Sequence, residues 1–114
     1  NFQETSQKVK KMALKYVEMS YKTDTILSVA ALISQLDLII TPDTSIVHIA
    51  SAYNKPIVSI HENNRDSYEL FAPTSKLNRT VFSKSKNSLD GFSMELLLSS
   101  CFELINIKKV DYEQ

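Results

Sequence analysis

A chain of 114 residues, 43% apolar and 23% charged, has material for one compact hydrophobic core and not for two. Its 13 basic residues balance 13 acidic ones, which removes any general electrostatic pull toward nucleic acid or an anionic membrane. The only glycine, Gly91, excludes a glycine-rich dinucleotide fingerprint and a P-loop, so a phosphate site must be built from hydroxyls and helix ends.

In chain order, Val9, Met12, Ala13, Tyr16 and Val17 recur at helical spacing and predict a helix from Thr5 to Glu18. Met19 to Lys22 reads as a short strand. Thr23, Asp24 and Thr25 offer caps for a second helix whose inward stripe is Ile26, Val29, Ala30 and Ile33. Leu36 to Thr41 is nearly all apolar and predicts a strand covered on both faces, ended by Pro42 and Asp43. A third helix carries Ile46, Val47, Ile49, Ala50 and Tyr53. Asn54, Lys55 and Pro56 stop it, because asparagine tolerates a left-handed cap and proline cannot continue a helix.

Pro56 to Ile60 reads as the next buried strand. His61 to Lys76 has no clear period and reads as a surface loop, followed by a last strand over Arg79 to Ser83. Ser93 caps a long amphipathic helix marked by Met94, Leu97, Leu98, Cys101, Phe102 and Ile105, and the polar tail after Ile107 is expected to fray. Strands alternating with helices predict a three-layer α/β domain around a parallel sheet with right-handed crossovers.

Cys101 is the only cysteine, so no internal disulfide can form and a reducing compartment, the cytoplasm, is the simpler setting. No apolar run approaches the roughly 20 residues that span a bilayer. The polar, lysine-rich start, Asn1 to Lys11, is no secretory signal, and without an initiator methionine the chain is expected to begin inside a longer protein. Two histidines and one cysteine lack the clustered spacing of a zinc site, so no metal or other cofactor is expected.

The segment Leu36 to Ile60 reads strand, P-D-T-S-x-x-H, helix, turn, strand. Ligands of open α/β sheets bind beyond the carboxyl ends of strands, where Asp43, Thr44 and Ser45 fall. Free amides of a first helical turn carry partial positive charge and suit a phosphate, and Thr44 and Ser45 add hydroxyls. His48 follows one turn on and shares their helix face. Asp43 repels a diphosphate, so its work is to cap the helix or to accept from sugar hydroxyls. Asp-Thr-Ser is equally an ordinary N-cap sequence, and a lone helical histidine is often structural.

The run DLIITPDTSIVHIASAYNKPIVSI resembles the signature segment of glycosyltransferase family 9, the ADP-heptose:lipopolysaccharide heptosyltransferases and relatives. That segment reads strand, D-T-G-x-x-H-x-A-x-A, a turn with K-P or R-P, then strand. The matching positions are Asp43, Thr44, Ser45, His48, Ala50, Ala52, Lys55 and Pro56. The helix before it, the Phe71-Ala72-Pro73 stretch and the last helix are similar too, so the resemblance covers most of the chain.

The resemblance implies a GT-B fold, two Rossmann-like domains of which this chain is part of the C-terminal, nucleotide-sugar-binding one. It implies that Asp43, Thr44, Ser45 and His48 line the donor's diphosphate and sugar, with Glu4 the counterpart of an upstream acidic residue on the nucleoside ribose. It further implies metal-independent, inverting transfer to a glycolipid or oligosaccharide acceptor held by the other domain, in lipopolysaccharide or other surface-glycan synthesis at the inner membrane. The fragment alone is then inactive, and a sheet lacking its first strands exposes an edge that invites pairing with another copy. Ser45 stands where the family has glycine, which puts heptose in doubt; His61-Glu62-Asn63-Asn64 replaces a glycine-proline turn. Two other readings remain: a non-catalytic α/β module for a phosphorylated ligand or partner protein, and a nucleotide-sugar epimerase, which lacks this motif.

Overall fold

The computed structural model describes residues 1–113, with side chains described through Val110. Its elements are α1 (Phe2–Met12), α2 (Ile26–Ser34), β1 (Ile39–Pro42), α3 (Ser45–Ala52), β2 (Ile57–His61), α4 (Arg65–Phe71), β3 (Asn78–Phe82) and α5 (Met94–Glu113). The strands form a parallel sheet in the order β1-β2-β3, with Ile39 opposite Ile57 and Ser59 opposite Thr80. Helices cover both faces, so the predicted three-layer α/β architecture is present.

Alternation along each strand sorts the two faces. Ile39 and Ile57 point toward α2 and α3 and pack with Ile33 and Ala50, helped by Val29, Ile46 and Ile49. Val58, Ile60 and Val81 point the other way, onto Leu97, Cys101 and Leu104 of α5. Burial pushes the Cys101 thiol above its ordinary pKa, against a smaller opposite effect from a backbone hydrogen bond.

The helix boundaries follow local chemistry. Thr25 caps α2 through a reciprocal pair with Ser28, each side chain meeting the other's backbone amide at 3.1 Å. Asn54 ends α3 at φ 51°, with Lys55 N donating to Ala50 O (3.0 Å) and Asn54 N to Ser51 O (2.9 Å), which is the Schellman pattern. The same Asn54 side chain accepts the Lys76 amide at 2.8 Å. Ser93 caps α5 as predicted, accepting from Leu96 N at 3.0 Å.

Several expectations change. The first helix is Phe2–Met12, not Thr5 to Glu18, because Ala13 turns left-handed (φ 48°) and Tyr16 is 89% exposed rather than packed on a core. No residue of α1 is buried, and the radius of gyration, 15.1 Å, exceeds the roughly 13 Å of a compact chain this long. Met19 to Lys22 forms no strand, since an extended segment without a hydrogen-bonded neighbour leaves its amides unpaired.

Strand β1 runs Ile39–Pro42, and its Ile40 is half exposed rather than covered. Among the described residues β1 pairs with β2 alone. The supposed loop after residue 61 contains α4, capped by Asn64 accepting from Ser67 N at 3.2 Å. The α2 stripe begins at Val29; Ile26 is exposed. On α5 the buried line is Leu97, Cys101 and Leu104, whereas Leu98, Phe102 and Ile105 face solvent. The helix continues through the tail expected to fray, as far as Glu113, and Gln114 lies outside the described residues.

Gly91 sits before α5 at φ +79°, and a Cβ there would meet the Lys84 side chain at 3.0 Å. Lys84 is flexible and can give, but the left-handed backbone cannot accept a Cβ freely. Gly91→Ala is therefore expected to destabilise the chain by about 1–2 kcal/mol, read as a lower urea midpoint with unchanged slope.

Candidate functional site

The face shared by α2, α3 and α4 changes character along the strands. At the base, Ile39 and Ile57 are apolar. One step up lie Thr41, Ser59 and Thr80, with Ser59 Oγ 3.2 Å from Thr80 Oγ1 and Thr80 Oγ1 donating to the Tyr68 hydroxyl at 3.0 Å. At the carboxyl end come His61 and Phe82. Asp43 follows β1 at the same level: its amide donates to Ile60 O at 3.1 Å, extending the ladder by one bond.

From there the chain enters α3. Thr44, in extended conformation, is the N-cap; its Oγ1 accepts from Ile46 N at 3.3 Å and lies 3.4 Å from Thr41 Oγ1. Ser45 is the first helical residue. Asp43, Thr44, Ser45 and His48 are all exposed at this opening, so the turn is not buried under other protein. Thr44 and not Asp43 caps the helix. His48, one turn in, meets the edge of Phe71 with ring centroids 6.4 Å apart. Glu4 makes its contacts within α1, closing a capping box with Asn1, and nothing among the described residues ties it to the α3 opening.

Asp43 turns instead to β2. Its Oδ2 lies 3.0 Å from Nε2 of His61, whose side chain is 5% exposed against 32% for Asp43. That approach is within ion-pair distance but off the N–H axis, so Nε2 has no well-directed hydrogen bond. The other ring nitrogen, Nδ1, is 2.7 Å from Glu62 O. Tyr68 and Phe82 hold the imidazole edge-on, at centroid distances of 5.4 and 6.1 Å, and the Arg65 guanidinium lies 3.6 Å over the Phe82 ring. A cleft of about 160 Å³ opens here between Pro42, Asp43, His61, Glu62, Ser67 and Leu89.

The sequence reading missed His61 as the partner of Asp43. Parity could have found it: Asp43 is two past Thr41, His61 is two past Ser59, and those pair in register. A larger cavity of about 390 Å³, lined by Leu38, Pro56, Leu104 and Lys108 among others, lies at the opposite, amino end of β1 and β2. It is mostly apolar and contains none of the candidate residues. Among the described residues no three His, Cys, Asp or Glu side chains gather into a metal-holding group, and no helix is long and apolar enough to cross a membrane.

Residues 3–98 match the family model described as glycosyltransferase family 9 (heptosyltransferase). The matched stretch includes the whole α3 opening and both sides of the cleft. No curated protein and no solved structure matches the chain.

Proposed function

The chain belongs to glycosyltransferase family 9, and from that premise we propose that the opening of α3 binds the diphosphate of a nucleotide-sugar donor. The observation that carries the reading is an exposed helix start at the carboxyl end of β1, flanked by Thr44, Ser45 and His48. Amides of that turn, with the Ser45 hydroxyl and the His48 imidazole, offer donors to phosphate oxygens. Charge building on a departing nucleoside diphosphate is stabilised by the same donors, which is the share of catalysis such a turn supplies.

The GT-B fold of the family implies a second domain for the acceptor. We place deprotonation of the acceptor hydroxyl there, so that this chain alone holds the donor without transferring its sugar. The adjoining cleft supports that division: about 160 Å³ admits a sugar-sized group and falls short of the roughly 300 Å³ at which ligand pockets begin. On this reading the glycosyl transfer is inverting and serves lipopolysaccharide or a similar surface glycan, at the cytoplasmic side of the inner membrane. Glu4 is the counterpart proposed for the ribose. The β1 edge is the surface proposed to meet a second copy.

Calorimetric titration with ADP-heptose, UDP-glucose and GDP-mannose tests the donor site directly. Thr44→Ala and His48→Ala are each expected to weaken binding by about 10- to 150-fold, the scale of a lost hydrogen bond to a charged oxygen. If no nucleotide sugar binds, or if both variants bind as the parent does, the reading fails.

A further inference from the structure

His61 is buried, lies at the mouth of the cleft, and departs from the turn residues expected at this point of the family segment. We propose that it is a positioning residue: it holds the Asp43 carboxylate so that its free oxygen accepts hydroxyl groups of the donor's sugar. The proposal rests on the donor-binding reading above and assigns the cleft beside α3 to the glycosyl group.

Glu62 O can only accept, so His61 Nδ1 at 2.7 Å must carry a hydrogen. The opposite nitrogen, Nε2, then faces Asp43 Oδ2 at 3.0 Å, and the other carboxylate oxygen is left for a ligand. Asp43 is itself fixed at the backbone by the Ile60 carbonyl, and the imidazole by Tyr68 and Phe82, so the pair has little freedom to separate.

The poor alignment is the second observation. A buried ring nitrogen without a directed partner is unfavourable and calls for an explanation. Polar contacts at ligand sites are often misaligned before binding and tighten in the complex. A sugar hydroxyl donating to Asp43 would draw the carboxylate toward the cleft and complete the Nε2 bond. A diphosphate gains nothing from Asp43, whose charge repels it. The pair therefore acts on the sugar and not on the phosphates.

The test compares ADP-heptose, UDP-glucose and GDP-mannose with their own nucleoside diphosphates in calorimetric titrations. His61→Phe, which keeps the aromatic packing, is expected to weaken the nucleotide sugar about tenfold and the nucleoside diphosphate less than twofold. His61→Gln, whose amide nitrogen can occupy the place of Nε2, is expected to restore most of that loss. Equal weakening of both ligands, or no weakening, overturns the positioning role while leaving the donor site intact. Should His61→Phe fail to fold, Asp43→Asn at the exposed end of the pair takes its place, with the same split expected and the same result overturning it. Absence of binding to every ligand by the unmodified chain defeats the donor-binding reading itself, and the inference with it.

Discussion

A Ser45→Asp chain is expected to fold at least as well as the parent and to lose nucleotide-sugar binding. Ser45 is the first residue of α3 and is exposed, so a carboxylate there meets solvent and the positive end of the helix. That contact stabilises the helix by about 0.3–1 kcal/mol. The same charge sits at the turn proposed to receive the diphosphate. At a separation of about 4–5 Å and an effective dielectric of about 20–40, one unit of repulsion is about 2–4 kcal/mol, or roughly 30- to 900-fold in affinity. Stability and binding thus move in opposite directions, which a damaged fold cannot mimic. Thermal unfolding and calorimetry on one sample decide it. Ser45→Gly, which carries the family residue but lacks the hydroxyl donor, should bind more weakly than the parent; unchanged binding would show that the amides of the turn suffice without it.

The second large effect belongs to the core. Leu104 is fully buried between α5 and the sheet, against Val58, Ile60 and Val81. Leu104→Ala is expected to cost about 2–5 kcal/mol, from lost transfer energy and the cavity left behind. A small domain commands about 5–15 kcal/mol in total, and one with a three-stranded sheet and an unpacked α1 lies low in that range. Urea denaturation should show the folded baseline shortened or gone. Phe102→Ala, two residues away on the exposed side at 64%, should change the stability by less than about 0.5 kcal/mol. A Leu104→Ala chain as stable as the parent would mean that α5 does not close the core.

What could be read from the sequence was what local chemistry decides. The strand, turn and helix from residue 39 to 61 were legible because apolar runs, an Asp-Thr-Ser cap and an Asn-Lys-Pro stop each act over a few residues. The opening of α3 was legible for the same reason. What escaped depends on partners distant in sequence. The apolar pattern past Met12 could not show that Tyr16 and Val17 stay exposed. The pattern of α5 marked Leu98 and Phe102 as strongly as Leu97, and only the sheet's position picks Leu97. Helix α4 has seven residues, too few to show a period against a polar background. The pairing of Asp43 with His61 needed the register of two strands, which no single segment encodes.

Helix α3 is fastened at its foot, and its head opens to solvent. Its last turn is locked by the left-handed Asn54, whose side chain also grips the amide of Lys76 on the approach to β3. An anion arriving at the other end therefore meets dipoles already aimed, with no segment left to settle into order. Little entropy is surrendered on contact. Such a post is expected to hold its direction whether the mouth is empty or filled, so any closure around a ligand must come from what moves toward it.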